Sequence, residues 1–146
     1  MPTPFMIARP RVLVVEDDHE VRGAIRELLE ETNFDVVGEA ADGSEGVDLA
    51  RQKNPDVVLM DLRMPVMGGL EASRQIKREM PMIQVVILTA SDDPALKEDA
   101  LTAGVFAYLV KGCPPRMLGE VTLQAWEMKR AMETQEPPGP NSVGAT

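Results

Sequence analysis

The chain has 146 residues and a formal net charge of −9, which is room for one domain with a sizeable core and some length to spare. That acidity argues against a nucleic-acid-binding surface, because phosphates would be repelled, and the single cysteine, Cys113, rules out an intrachain disulfide. No signal segment opens the chain and no apolar run reaches membrane-spanning length, so the expected setting is the cytoplasm, away from any membrane.

Residues 1–10 carry Pro2, Pro4 and Pro10 without periodicity and read as a disordered arm. Arg11-Val12-Leu13-Val14-Val15 reads as a buried strand that runs into Glu16-Asp17-Asp18. Val21, Ile25, Leu28 and Leu29 then form one stripe of a helix, capped by Asp17 or Asp18 and ended near Asn33. Residues 35–40 give a weaker strand. Asp42 with Glu45 resembles a capping box and opens a helix to about Lys53, which Asn54-Pro55 ends. Val57-Val58-Leu59-Met60 is a third strand and leads straight into Asp61. A helix from Leu70 to about Met80 follows Gly68-Gly69 and stops at Pro81. Val85-Val86-Ile87-Leu88 is a fourth strand, ending at Thr89. Asp92 or Asp93 caps the next helix, with Pro94 in its first turn and Gly104 as its stop. Residues 106–110 form a fifth strand with Lys111 just beyond. Pro114-Pro115 introduces a last helix with Leu118, Val121, Ala125 and Met128 inward. The ten methionines read as core filler. The folded domain is expected over residues 11–132, and the Pro- and Gly-rich residues 133–146 as a disordered tail or linker.

Strands alternating with helices across short loops argue for an α/β fold, a doubly wound parallel sheet covered on both faces. The runs ending at residues 15, 60 and 88 are the most apolar and suit central strands, while 35–40 suits an edge.

In such a sheet, ligands sit past the carboxyl ends of the strands. Alone, Asp61 reads as a turn cap, Lys111 as a solvated lysine, Thr89 as a strand end and Tyr108 as a half-buried strand aromatic. If the strands that carry them are neighbours, Glu16, Asp17, Asp61, Thr89 and Lys111 converge. Three carboxylates in one place repel one another and call for a cation. Oxygen ligands select Mg²⁺ or a similar divalent ion such as Mn²⁺. A lysine and a threonine beside them suit an aspartate that attacks phosphorus.

Val14-Val15-Glu16-Asp17, Asp61-Leu62-Arg63-Met64-Pro65, Gly68-Gly69-Leu70, Leu88-Thr89-Ala90 and Tyr108-Leu109-Val110-Lys111 agree in order and spacing with one family. From about Arg11 to Lys129 the chain resembles a receiver domain of two-component response regulators. The resemblance implies a CheY-like, flavodoxin-like sheet of strand order 2-1-3-4-5 with five helices. It implies that Asp61 accepts a phosphoryl group from a sensor histidine kinase. It implies a metal held by Glu16, Asp17, Asp61 and the backbone carbonyl of Arg63, with Asp18 left as a helix cap. Thr89 and Lys111 would contact the phosphoryl oxygens, and Thr89 and Tyr108 would act as the switch. Signal output would leave through the fourth helix, fifth strand and fifth helix, where Leu123 and Trp126 suit either a homodimer face or simple half-burial.

Lys111-Gly112 stands where the family usually has Lys-Pro, so that loop is expected to be mobile, with no cis bond before residue 112. With Val36-Val37-Gly38-Glu39-Ala40-Ala41-Asp42-Gly43, this junction resembles receivers of the NarL subfamily, which usually carry a DNA-binding domain after a linker. The chain is therefore either a stand-alone receiver or one cut at that linker, and makes no DNA contact of its own. Two rival classes compete. A haloacid-dehalogenase-type phosphatase wants Asp-x-Asp at the nucleophile, but Arg63 stands two residues after Asp61. A phosphorylation-independent interaction module would be expected to have lost some of these acidic, Thr and Lys positions.

Overall fold

The computed structural model describes residues 9–134. The element order is β1 (Arg11–Val15), α1 (His19–Glu31), β2 (Asp35–Ala40), α2 (Gly43–Lys53), β3 (Val57–Met60), α3 (Gly69–Glu79), β4 (Gln84–Thr89), α4 (Pro94–Thr102), β5 (Ala107–Val110) and α5 (Pro115–Thr134). All strands pair in parallel, in the order β2-β1-β3-β4-β5. The expected doubly wound architecture is therefore present, with β2 at an edge and β1, β3 and β4 inside.

Successive residues of a strand point to opposite faces. In β1, Leu13 and Val15 join Val47, Ala50, Val58, Met60, Ala72 and Ile76 in a core under α2 and α3. Val12 and Val14 face the other way and pack with Ile25, Leu29, Leu59, Val86, Leu118 and Ala125 under α1 and α5. Because both faces are covered, the central strands carry continuous apolar runs, residues 12–15, 57–60 and 85–88, with no polar alternation.

Helix ends follow local chemistry. Asp18, rather than Asp17, caps α1 by accepting from the Glu20 and Val21 N–H groups. Asp42 caps α2 through the Glu45 N–H, while the Glu45 carboxylate reaches the Ala41 N–H. Asn54 closes α2 at φ 47°, in the left-handed region that asparagine tolerates. Asp93, rather than Asp92, caps α4.

Several expectations are corrected. Arg9 and Pro10 do not belong to a loose arm: Pro10 is buried, and Arg9 donates to the carbonyls of Asn33 and Phe34. Residues 1–8 lie outside the described part. Helix α5 runs through Glu133 and Thr134, beyond the expected boundary at 132. The tail expected to follow, residues 135–146, also lies outside the described part. The inward stripe of α5 is Leu118, Thr122, Ala125 and Lys129, and Met128 is 43% exposed. The Thr122 hydroxyl is satisfied inside its own helix, on the Leu118 carbonyl. Lys129 is drawn inward by Asp56, which accepts from its Nζ at 2.8 Å. The methionines divide likewise: Met60 is fully buried, Met64, Met67 and Met80 pack at the core margin, and Met117 and Met128 are exposed.

Candidate functional site at the carboxyl edge of the sheet

The parallel register carries each strand to the same edge. The Glu16 N–H donates to Ala40 O, the Asp61 N–H to Val15 O, and the Lys111 N–H to Thr89 O. These bonds extend the ladders one residue past β1, β3 and β5 and bring those three residues together. Among the described residues, carboxylate oxygens of Glu16, Asp17 and Asp61 lie within 4.8 Å of one another. Glu16 and Asp61 are buried, and Asp17 is exposed.

Fixed partners hold the cluster. Asp61 Oδ1 accepts the Leu62 N–H at 2.8 Å. Glu16 Oε2 accepts the Asp18 N–H at 3.0 Å. Lys111 Nζ stands 2.6 Å from Glu16 Oε1 and 3.3 Å from Asp61 Oδ2. The Lys111 ammonium is thus paired with both buried carboxylates at once. Burial pushes the Glu16 carboxyl above the usual carboxylate range, against the pull of the Lys111 ammonium and the Asp18 N–H, and the Asp61 charge adds to the push. Burial pulls the Lys111 ammonium down, but Glu16 and Asp61 together outweigh it and hold the group above the ordinary lysine value. Three carboxylates gathered this closely, two of them buried, are the donor set a hard divalent cation fits.

Beside this cluster lies a cavity of about 240 Å³ lined by Asp61, Arg63, Thr89, Ala90 and Ser91. Thr89 is buried there at the end of β4. Tyr108 lies one strand over and is half-buried, and its hydroxyl donates to the Ser91 carbonyl at 2.7 Å. Burial raises the Tyr108 phenol above its ordinary value, outweighing the Ser91 bond that lowers it, with Asp92 and Asp93 adding to the rise.

The loop after Asp61 is closely fitted. The Gly69 N–H donates to Leu62 O at 2.8 Å, and a Cβ on Gly69 would fall 1.8 Å from Asp61 O. The Gly43 N–H donates to Met67 O, tying α2 to the same loop. Past Lys111, Gly112 takes φ 100°, which explains the departure from Lys-Pro: proline is locked near φ −65°. All peptide bonds among the described residues are trans.

Glu16, Asp17, Asp61, Arg63, Thr89 and Lys111 thus lie at one edge, and Tyr108, within β5 opposite Ile87, reaches it through its hydroxyl. Arg22 is the neighbour that sequence reasoning passed over. Its Nη1 donates to the Glu16 carbonyl at 2.7 Å, and no local motif announces a contact between residues six apart.

A family model described as the response regulator receiver domain matches residues 12–122. The transcriptional regulatory protein PdtaR of Mycobacterium tuberculosis (strain ATCC 25618 / H37Rv) is 45% identical over 103 residues, 69% of this chain and 49% of its own length. The transcriptional regulatory protein LiaR of Bacillus subtilis (strain 168) is 43% identical over 102 residues, 69% of this chain and 48% of its own length. The chain thus spans about half the length of these two curated relatives. Among solved structures, a two-component response regulator of the LuxR family from Aurantimonas sp. SI85-9A1 superposes with TM-score 0.79 at 33% identity, covering 82% of this chain and 86% of its own. The signal receiver domain of NarL from Mycobacterium tuberculosis superposes with TM-score 0.79 at 30% identity, covering 83% of this chain and 98% of its own.

Proposed function

The chain belongs to the family of response regulator receiver domains, and on that premise we propose that Asp61 is its phosphoacceptor, taking a phosphoryl group from a histidine kinase. The observation that carries this reading is the convergence of Glu16, Asp17, Asp61 and Lys111 at one sheet edge beside the cavity that Thr89 lines.

An Asp61 carboxylate oxygen attacks the phosphorus of a phosphohistidine. A P–O bond forms, the P–N bond breaks, and the electron pair leaves with the imidazole. Phosphoryl transfer of this kind asks the protein for alignment and charge neutralisation more than for a base. The Leu62 N–H on Oδ1 fixes the rotamer of Asp61. The Lys111 ammonium, within 3.3 Å of Oδ2, offers fixed positive charge to the incoming oxygens. Thr89 closes the cavity from β4 and offers a hydroxyl donor. Glu16, Asp17, Asp61 and the Arg63 carbonyl would hold Mg²⁺, or Mn²⁺ in its place, which when bound neutralises phosphoryl oxygens. On this reading the domain catalyses only its own phosphoryl acceptance and slow dephosphorylation, and works as a switch and not as a turnover enzyme.

The charge gained at Asp61 biases Thr89 and, through Ser91, Tyr108. The α4-β5-α5 face then changes toward an output partner or a second copy. Exposed Leu101, Met117, Leu123 and Met128 lie on those two helices. Where such a chain continues into a DNA-binding domain, this face regulates it, and the setting is cytoplasmic. The test is incubation with Mg²⁺ and acetyl phosphate followed by intact mass: a gain of one phosphoryl group in wild type, absent in Asp61→Asn, supports the reading, and no gain in wild type overturns it.

A further inference from the structure

We infer that Arg22 and Glu39 form a positioning couple that shapes the metal-binding turn Glu16–Asp18; this rests on the Mg²⁺ reading above. Arg22 lies on α1 with its side chain only 16% exposed. Its Nη1 donates to the Glu16 carbonyl at 2.7 Å, and its Nε donates to Glu39 Oε1 at 3.2 Å. Glu39 projects from the edge strand β2 and also pairs with Arg26. The residue after Glu39, Ala40, accepts the Glu16 N–H at 2.9 Å. Both main-chain polar groups of Glu16 are therefore held from the β2 side, one by the strand itself and one through Arg22. With its N–H and carbonyl fixed, Glu16 can aim its carboxylate inward, beside those of Asp17 and Asp61.

Glu39 has a second task in the couple. A guanidinium bonded to the Glu16 carbonyl is a built-in competitor for any cation that the Glu16, Asp17 and Asp61 carboxylates bind. Glu39 holds Nε, the Glu16 carbonyl holds Nη1 and His19 Nδ1 stands 3.3 Å from Nη2, so each nitrogen of the guanidinium has a partner outside the three carboxylates. Arginine suits this role because its planar fork serves two acceptors in fixed geometry, which a lysine cannot copy. Groups that orient ligands without touching the metal commonly account for ten- to hundredfold of affinity, an order of magnitude or more.

Charge alone and positioning predict opposite results, which makes the couple testable. The full chain is titrated with MgCl₂ by calorimetry, as wild type, Arg22→Gln, Arg22→Lys, Glu39→Gln and the Arg22→Gln/Glu39→Gln double variant. Thermal melts without Mg²⁺ set a temperature at which every variant is folded. If Arg22 acted only through charge, its loss beside a cation site would tighten Mg²⁺ binding, and the charge-neutral double variant would match wild type. Positioning predicts about tenfold weaker binding for Arg22→Gln. It predicts weakening for Arg22→Lys as well, and a double variant no weaker than Arg22→Gln, because the second change removes a partner already without its task. Tighter or unchanged binding in Arg22→Gln overturns the couple while leaving the Asp61 reading intact. No Mg²⁺ binding by wild type overturns both.

Discussion

The hydroxyl of Tyr108 donates a 2.7 Å hydrogen bond to the backbone carbonyl of Ser91. Ser91 lines the cavity that Asp61 and Thr89 share, while Tyr108 stands on β5 opposite Ile87. The phosphoacceptor edge and the β5 face are thus joined by one side chain and one loop. Tyr108→Phe removes that bond alone. It should cost about 1 kcal/mol in urea unfolding, the net worth of one such hydrogen bond. It should also weaken the response: beryllofluoride with Mg²⁺ should shift amide resonances over residues 90–125 in wild type and shift them less in Tyr108→Phe. Equal shifts in both would remove Tyr108 from the coupling.

Gly69 is required by space. A Cβ there would fall 1.8 Å from the carbonyl oxygen of Asp61 and 2.8 Å from its carbon, which are main-chain atoms that cannot turn aside. Gly69→Ala should destabilise the fold by roughly 3 kcal/mol, at the upper end of overpacking costs. The same displacement should abolish phosphoryl acceptance even at temperatures where the variant is folded. A variant that melts with wild type and still gains the phosphoryl mass would contradict this.

At the opposite edge, Lys129 gives a pH signature. It is buried on α5, donates to Asp56 Oδ1 at 2.8 Å and stands 3.1 Å from Glu133 Oε2. Asp56 also accepts the Arg11 N–H, so this one carboxylate ties β1 to α5. Burial pulls the Lys129 ammonium down, but the two carboxylates outweigh it and leave the folded group above its ordinary value. A group raised on folding contributes stability fully below its unfolded value, about 10.4 for lysine, and loses it as pH rises through the folded value. The stability gap between wild type and Lys129→Met should therefore be level from about pH 7 to about pH 9 and shrink above about 10.4. Denaturant midpoints at each pH would check it, and a gap that widens with alkali would contradict it.

The fifth helix also marks where reading the sequence stops. Strands were legible because buried parallel strands are short apolar runs between turn signals, as at Val57–Met60 and Gln84–Thr89, while their full order came with the family resemblance. The site was legible because strand ends place their next residues at one edge, which brings Asp61, Glu16 and Lys111 together. On α5 the pattern misled. Met128 is apolar and points outward, whereas Thr122 and Lys129 are polar and point inward, each satisfied by a partner that periodicity does not show. The arm's boundary at residue 10 failed for a similar reason: Arg9 is held by carbonyls 24 and 25 residues away. Arg22 was invisible as a neighbour of the site because its tie to Glu39 crosses from α1 to the edge strand.

That reassignment of α5 makes its own forecast. Met128→Ser should change stability by no more than about 0.5 kcal/mol, as for an ordinary surface position. Leu118→Ala, at 4% exposure in the core under α1 and α5, should cost roughly 2–4 kcal/mol. Comparable losses at both positions would restore the stripe that runs through residue 128.

The central claim is that one carboxylate, Asp61, carries the phosphoryl group. Treating the protein with Mg²⁺ and acetyl phosphate, reducing the acyl phosphate with borohydride and mapping peptides by mass tests it most directly, because reduction converts a phosphorylated aspartate to homoserine. Homoserine at position 61, and nowhere else, is the predicted result. Homoserine at Asp17, Asp18 or another carboxylate, or none at position 61 in a protein that has gained the phosphoryl mass, would contradict it.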